Sequence, residues 1–553
     1  MSGLFATLNT SKSGMFAQQQ YINVTSHNIS NANTEGYSRQ QLILQTARPQ
    51  TVVGGVGQIG TGVSMKAIER TRNQFLDYQI RKELTHQGTY SVRQDYLSEI
   101  EGIFNEPSET GISELMSEFF DAWQTLSKNP EKSDARTVVA QKALALADEI
   151  NHTYKKLQDT NKNAISEIQS NIYEVNTIID QLNAINKDII TVTVAGNNPN
   201  DLMDRRDLLL DTLSSKFGID TRNQDLNGMT VKVGANGDIS LVRNKDSDPI
   251  SKFAFVNNIV DNGDGTYNIE YYKDGDMTSD KNKVTLANIS LTKDQYASLN
   301  ESRVLVTKED GTIADPTKVG DSIFNPGSGK IGGLQSIHKD TEGYMSQLDT
   351  LAKGVAYAVN AIHSEGYVDK DGNKVGIDFF ISTTGDINDV NAGNISINKD
   401  ILKNPMLIQA GSNASSGSTD GDRALAIANF REMALDMGKL EGNYTYDQFV
   451  ADHFVVTDGK IPTGNTIEGG TKVEGYFKNT INKLGVQSQE AKRIVKNQQS
   501  LLSGLVERRL STSGVALDEE AINLVQFQHS FQANAKVIST VDQLLDVVVN
   551  LVR

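Results

Sequence analysis

The chain has 553 residues, 38% of them hydrophobic and 22% charged, and a formal net charge of -16. That length is too great for one core and implies roughly three to five folded units, while the acidity excludes sequence-independent binding to nucleic acid or to an anionic membrane, which needs concentrated Lys and Arg. Zero cysteines exclude disulfides, thiolate metal sites and a cysteine nucleophile.

From Met1 to Phe16 small polar residues and one Lys are scattered, with no continuous apolar stretch and no cleavage site after one, so this is not a Sec-type signal peptide. Leu8, Met15, Ile22 and Ile29 recur every seventh residue. They predict an amphipathic helix with one narrow apolar seam, as a helix presents to another helix in a coiled coil. The run Asn28 to Gly36 is rich in Asn, Ser and Thr and ends that helix at the glycine, which places Tyr37 and Arg39 on a connecting loop. Gly55, Gly57 and Gly60 match the Gly-x-Gly-x-x-Gly spacing of a dinucleotide loop, but Thr61-Gly62-Val63 follows where a helix should open, so a flexible or hairpin segment is expected.

Proline is absent before Pro49, between Pro130 and Pro199, and after Pro462, and these are the tracts with helical periodicity. In the middle tract Ile165, Ile168, Ile172, Val175, Ile179, Leu182, Asn186 and Ile189 follow at alternating steps of three and four, predicting one long bundle helix. Asn186 either fixes register on that seam or sits at the wet end of the bundle. From about 216 to 330 short β-type runs take over, at Met229 to Val233, Ile239 to Val242, Phe253 to Val256, Tyr267 to Tyr272 and Val304 to Val306, with Asn262-Gly263-Asp264-Gly265 as a hairpin turn. A helix over about 344–363 follows, then a turn-rich stretch with short strands, a polar surface loop from Gly411 to Asp422, and a helix over about 423–440. A long helix from about Tyr476 to Leu510 puts Phe477, Ile481, Leu484, Ala491, Val495, Leu502 and Leu505 on one face, suited to packing on the middle helix.

The last helix repeats the pattern of the first, with Leu517, Leu524, Phe531, Ile538, Leu545 and Val552 every seventh residue. Its most apolar run, Leu544 to Val552, contains Asp546 and Asn550 and falls well short of the roughly 20 residues of a membrane span. The fold class expected is mainly α with a β-rich inserted domain, elongated and nested, the N- and C-terminal helices pairing as a coiled coil. The units expected are a terminal helical domain (1–80 with 511–553), a helical bundle (81–215 with 331–365 and 423–510), the β-rich insert (216–330) and a loop and short-strand insertion (366–422). The narrow seams cannot offset the cost of ordering both terminal helices, so these are expected to order fully only when neighbouring copies bury them.

Chemistry is sparse. The seven histidines form no metal-ligating spacing, and neither a Gly-x-Ser-x-Gly elbow nor a Gly-Lys-Ser/Thr phosphate loop is present. Asp369-Lys370-Asp371-Gly372-Asn373 looks like the start of a calcium loop, but Lys374 stands at its sixth position and Phe380 at its twelfth, so a β-turn is expected. Glu519 and Glu520 at a helix start favour the positive end of its dipole. No enzyme, cofactor or metal is indicated.

Asn28-Ile29-Ser30-Asn31-Ala32-Asn33-Thr34-Glu35-Gly36-Tyr37-Ser38-Arg39 resembles the N-terminal signature of bacterial flagellar axial proteins, and Phe527-Gln528 with Phe531 to Ile538 resembles their C-terminal signature. Gly60-Thr61-Gly62-Val63 leading to Arg70, Pro199-Asn200-Asp201-Leu202 with Arg205-Arg206-Asp207, Val359-Asn360 with His363, and Gly514 to Glu520 are similar to the hook-associated protein 1 (FlgK) family, with Ala516 where Ser is more usual. The 216–330 insert carries no such signature.

The resemblance implies a structural subunit of the flagellum that polymerises as a ring at the hook tip and adapts hook to filament. It implies export by the flagellar type III route to the cell exterior. The partners implied are further copies of itself, the hook protein and a second junction protein (hook-associated protein 3), with an export chaperone on the C-terminal helix. The contact residues it suggests are Asn28, Asn31, Asn33, Gly36, Tyr37 and Arg39 beside the N-terminal seam, and on the last helix the seam with Phe527, Asn534, Val541 and Val548. Alternatives are another axial subunit, such as the hook protein, or a secreted adhesion module using aromatics of the insert such as Tyr267, Tyr271 and Tyr272.

Overall fold

The structure, a computed structural model, describes residues 2–51, 58–234, 238–442, 444–465 and 467–551. Gly55, Gly57 and Val552 lie outside them. Helix α1 (Ser2–Ser30) leads by a turn into β1 (Gln40–Thr46), β2 (Gln50–Thr51), β3 (Gln58–Ile59) and β4 (Val63–Arg70). Helices α2 (Gln74–Phe104), α3 (Ile112–Lys128), α4 (Ser133–Val194) and α5 (Asn200–Lys216) follow. The β-rich tract comprises β5 (Asp220–Asn223), β6 (Met229–Val233), β7 (Ile239–Ser240), β8 (Ser251–Asp261), β9 (Thr266–Tyr272), β10 (Lys283–Ser290), α6 (Lys293–Ser302) and β11 (Val304–Lys308). Beyond α7 (Gly329–Ser364) come β12 (Phe380–Ser382), β13 (Ile395–Ile397), α8 (Lys399–Lys403), α9 (Asp422–Phe430), α10 (Tyr446–His453), β14 (Phe454–Val455) and β15 (Thr463–Gly464). The last two helices are α11 (Val473–Ser513) and α12 (Leu517–Leu551).

The class is mainly α with β-containing parts, and α1 packs along α12. Met1–Thr89, Gln169–Gly332 and Lys496–Arg553 make one compact unit, and Tyr90–Ile168 with Gly333–Val495 a second.

In the first unit the main sheet has the order β10-β9-β8-β11, all neighbours antiparallel, and a smaller one the order β5-β6-β7. The turn at Asn262 to Gly265 joins β8 to β9, its Asp261 and Asp264 carboxylates accepting the backbone N–H of Gly263 and Thr266. Tyr267 and Tyr271 belong to the buried core beneath the main sheet, with Ile269, Leu299 and Leu305, and Tyr267 stacks on Tyr296 with 4.7 Å between ring centroids. The aromatics that an adhesive face would have used are therefore packing residues. Strand β10 and helix α6 escape the pattern reading. Residues of β10 alternate only between exposed and half-buried and a bulge interrupts its pairing, whereas α6 opens with a Thr292/Gln295 capping box that was legible.

Helix α4 holds these sheets through side-chain amides as well as through its apolar seam. Ile172, Val175, Ile179, Leu182 and Ile189 are buried. Asn176 donates to the Phe253 carbonyl at 2.8 Å and accepts the Phe253 N–H at 3.0 Å. Asn183 donates to the Leu241 carbonyl and accepts the Arg243 N–H. Asn186 donates to the Arg243 carbonyl and accepts from the Met229 N–H and from Arg206 Nη1. Its place on the seam is thus not a wet end: it is buried, and it pairs with backbone of the β-rich part and with Arg206 of α5.

In the second unit the same device recurs. Asn360 on α7 donates to the Phe380 carbonyl at 2.7 Å and accepts the N–H of Phe379 and Phe380 at 2.9 and 2.8 Å. Around it Trp123, Phe119 and Phe120 of α3 pack with Phe379, Phe380 and Phe430. Buried His363 donates through Nδ1 to the Ile377 carbonyl and accepts the Gln409 N–H at Nε2, so burial pushes its imidazole down to about 3 and keeps it neutral. The helix expected from about 344 begins at Gly329, its first turns disguised by Gly329, Gly332 and Gly333. The helix expected over 423–440 stops at Phe430, and only the short turn Met437–Leu440 follows, because Leu435 leaves the helix to pair with Thr471. Asp369 accepts the N–H of Asp371 and Asn373, forming a tight turn. Helix α11 finds contacts on α2, Phe477 against Phe104 in this unit and Leu505 against Leu76 and Ile80 in the first.

Asn360→Ala should cost about 3 kcal/mol in chemical unfolding, because it leaves buried backbone groups without partners, whereas Asn33→Ala on the exposed turn should stay within about 0.5 kcal/mol. Equal effects from the two would contradict the docking role of Asn360.

Candidate functional site: the terminal helix pair and its anchor

On α12 the residues Leu524, Phe527, Phe531, Asn534, Ile538, Leu545 and Val548 are half-buried and Val541 is buried, forming a continuous a/d seam. On α1 the predicted Leu8, Met15, Ile22 and Ile29 are also half-buried, while Ser11, Ala17, Val24, Thr25 and Asn28 are fully covered. Phe527 stacks on Tyr21 at 4.5 Å. At Gly14 a Cβ would stand 3.0 Å from Asn534 Oδ1, so glycine there permits the close approach of the two helices. Leu517 is exposed at the start of α12, off this seam.

A second apolar stripe on α12 was not anticipated. Ile522 is 67% exposed, and Val525, Val537, Leu544 and Val547 are exposed with it on the same side of the helix; α1 adds Phe5 and Phe16. The legible signal was that α12 carries more Ile, Leu and Val than one a/d seam can use.

The pair is tied to its unit where the chain leaves α1. Asn28 repeats the amide device, donating to the Gln40 carbonyl and accepting the Gln40 N–H, both at 3.0 Å. Its Nδ2 also donates to Glu520 at 3.3 Å, and its Oδ1 accepts the Tyr37 hydroxyl at 2.7 Å. Burial and the charges of Asp201, Asp204 and Glu520 push the Tyr37 hydroxyl up, so it remains a donor. Arg39 Nε donates to Glu520 at 2.8 Å, and the Arg39 N–H donates to the Ser513 carbonyl. Glu520 is only 2% exposed. Its role exceeds the dipole effect expected of it, since it joins the first turn of α12 to the loop after α1. Gly36, at φ +78, turns the chain, and a Cβ there would press on Leu208 at 3.3 Å. Asn31 donates back to the His27 carbonyl, and Asn33 lies exposed on the turn.

Beside this anchor lies an Arg/Asp cluster. Ser38 donates its N–H and hydroxyl to Asp204. Arg70 bridges Asp204 and Asp207, Arg81 bridges Asp207 and Asp211, Arg72 makes a two-pronged pair with Asp77, and Arg509 of α11 donates to Asp211 at 2.6 Å. Burial alone would raise the Asp207 carboxyl, but Arg72, Arg70 and Arg81 outweigh it and hold it at about 2. Sequence reading singled out Arg70 and Asp207 without linking them, because their partners are far apart in sequence.

The comparisons with known proteins fall on these same parts. Residues 97–254 and 243–380 match the family described as "Flagellar hook-associated protein FlgK helical domain". Residues 8–37 match "Flagella basal body rod protein", and 506–551 match "Flagellar basal body rod FlgEFG protein C-terminal". Flagellar hook-associated protein 1 of Bacillus subtilis (strain 168) is 31% identical over 572 residues, covering 100% of this chain and 99% of that protein. The chain belongs to the flagellar hook-associated protein 1 family. It is a structural subunit of the bacterial flagellum. The Salmonella typhimurium member is 26% identical over 601 residues, covering 98% of this chain and 99% of that protein. The hook junction protein FlgK of Burkholderia pseudomallei matches in fold with a TM-score of 0.53 at 13% identity, covering 78% of this chain and 100% of that one. Full-length likeness to hook-associated protein 1 disfavours the hook-protein and adhesin alternatives. Among the described residues no helix is long and apolar enough to cross a membrane.

Because the Asp207 carboxyl is depressed from 3.8 to about 2 in the folded chain, it contributes stability above about pH 4 that is lost as pH falls through 2, worth roughly 2 kcal/mol. Asp207→Asn should therefore be destabilised at pH 7, with the gap to the parent narrowing towards pH 2 in denaturant titrations. A gap independent of pH would contradict this.

Proposed function

We propose that this subunit polymerises as a ring on the hook tip, where its terminal helix pair stacks with those of neighbouring copies and its body gives the next junction protein a surface to assemble on. The supporting observation is the two-sided α12: one apolar seam is used on α1, and the second stripe, from Ile522 to Val547, is left at the surface of the single chain. An exposed apolar stripe of that length on an acidic protein is what a buried subunit contact needs. The contacts proposed are with other copies through α1 and α12, with the hook protein on one side and with the second junction protein on the other. Before export the same stripe is a natural binding site for a dedicated chaperone, which would shield it in the cell interior. Export then places the protein outside the cell, at the hook–filament junction. The role needs no catalysis, and the anchor of Asn28, Tyr37, Arg39 and Glu520 acts by fixing the direction of the helix pair within its unit.

Deleting the gene in its motile host should leave hooks of normal length without filaments and flagellin in the medium, as seen by negative-stain electron microscopy and immunoblotting. Missing hooks would point to an earlier axial role, and intact filaments would overturn the reading.

The paired substitution Val525→Asp with Val547→Asp should fail to restore filaments to that strain while shifting the unfolding free energy of the purified chain by less than about 1 kcal/mol, since both positions are exposed. Full restoration would exclude the outer stripe as an assembly contact.

A further inference from the structure

The first unit contains a groove that the anchor and the helix pair leave unused. It lies between α2 and the sheet β5-β6-β7 and encloses about 850 Å³. Its cationic lining is Arg81, Lys82, Arg222 and Lys232, against the single carboxylate of Asp220. Arg81 is committed to Asp207 and Asp211, and Arg222 reaches Asp220 at 3.2 Å. Among the described residues Lys82 and Lys232 have no ion-pair partner, and His86 stands one helical turn beyond Lys82 in the same lining. At the edge of the groove α2 leaves Tyr78 54% exposed and, three residues earlier on the same face, Phe75 68% exposed.

Uncompensated cations beside solvent-exposed aromatic rings form a surface that would be covered by carboxylates flanked by apolar side chains. On a chain with 69 Asp and Glu against 53 Lys and Arg, such a concave basic patch is complementary to the chain's own prevailing surface charge. We propose that this groove receives an acidic segment of a second copy of this chain, so that neighbouring subunits engage through the body as well as through the terminal helices. This rests on the ring reading above. Because the attraction is between screened surface charges, it chiefly selects partner and register, with the helix seams supplying the hydrophobic burial.

The test places the photo-cross-linking residue p-benzoylphenylalanine at Tyr78 or, separately, at Val525 of the full chain in cells building flagella. Position 525 reports whether the subunit packs against axial neighbours at all. The expected result is cross-linking from both positions, with a product of twice the chain mass from position 78 whose captured peptide is acidic. Adding Lys82→Glu, Arg222→Glu and Lys232→Glu should lower the yield at 78 by on the order of tenfold and leave that at 525 in place. If the triple variant fails to fold, Lys82→Gln with Lys232→Gln is read in the same direction. Cross-linking at 525 with none at 78, or capture of a different protein at 78, overturns the groove proposal and leaves the ring intact. Silence at both positions overturns both.

Discussion

A strand that meets a helix end-on or edge-on leaves N–H and C=O groups that neither partner's own hydrogen-bond ladder can satisfy, and buried groups of that kind must be paired. This chain meets the constraint with one side chain. Asparagine on a helix offers a donor and an acceptor at the spacing of a single backbone residue, and Asn28, Asn176 and Asn360 each use both, on Gln40, Phe253 and Phe380. Each bond contributes only about 1 kcal/mol net, but losing the amide strands buried groups at a larger cost, so the device specifies position more strongly than it adds stability.

The device matters most at Asn28, because the proposed assembly depends on where α1 and α12 point. Asn28 joins the end of α1 to β1 and, through Glu520, to the start of α12, residues 492 apart in sequence. Arg39 and Tyr37 complete that joint, and the Arg/Asp cluster around Asp204 and Asp207 fastens it to α5 and α2. The helices are therefore aimed by polar groups, which are directional, and held to one another by an apolar seam, which is not. The proposed ring needs both properties: a fixed direction for the helix pair within its unit, and an uncovered second stripe for its neighbours.

Much of this was legible along the chain. The seven-residue period exposed both terminal helices and their seams, and alternation with turn residues located most strands of the insert. The physical limits are equally specific. Periodicity reveals that Asn186 lies on a buried face but not what stands opposite, and the partner proved to be backbone of the β-rich part. Glu520 read as a helix-start acid because local spacing cannot reveal Arg39 and Asn28. The outer stripe of α12 was overlooked because the a/d seam accounts for half of its apolar residues and hides the remainder. Strand β10 alternates too weakly to stand out, and glycines concealed the first turns of α7. The signatures at the two ends, which fall on the anchor and the seam, pointed to flagellar axial proteins in general, and the motifs around Gly60, Pro199, Asn360 and Gly514 narrowed the resemblance to the hook-associated protein 1 family.

The central claim is that the terminal helices carry assembly energy which the single subunit does not fully realise. Backbone hydrogen exchange of the purified subunit, compared with the subunit packed in isolated hook–junction complexes, tests it most directly. The account predicts fast exchange along α1 and α12 in the free chain and strong protection in the complex, with α4 and the strands its asparagines hold slow in both. Terminal helices already as protected in the free subunit as in the complex would contradict it.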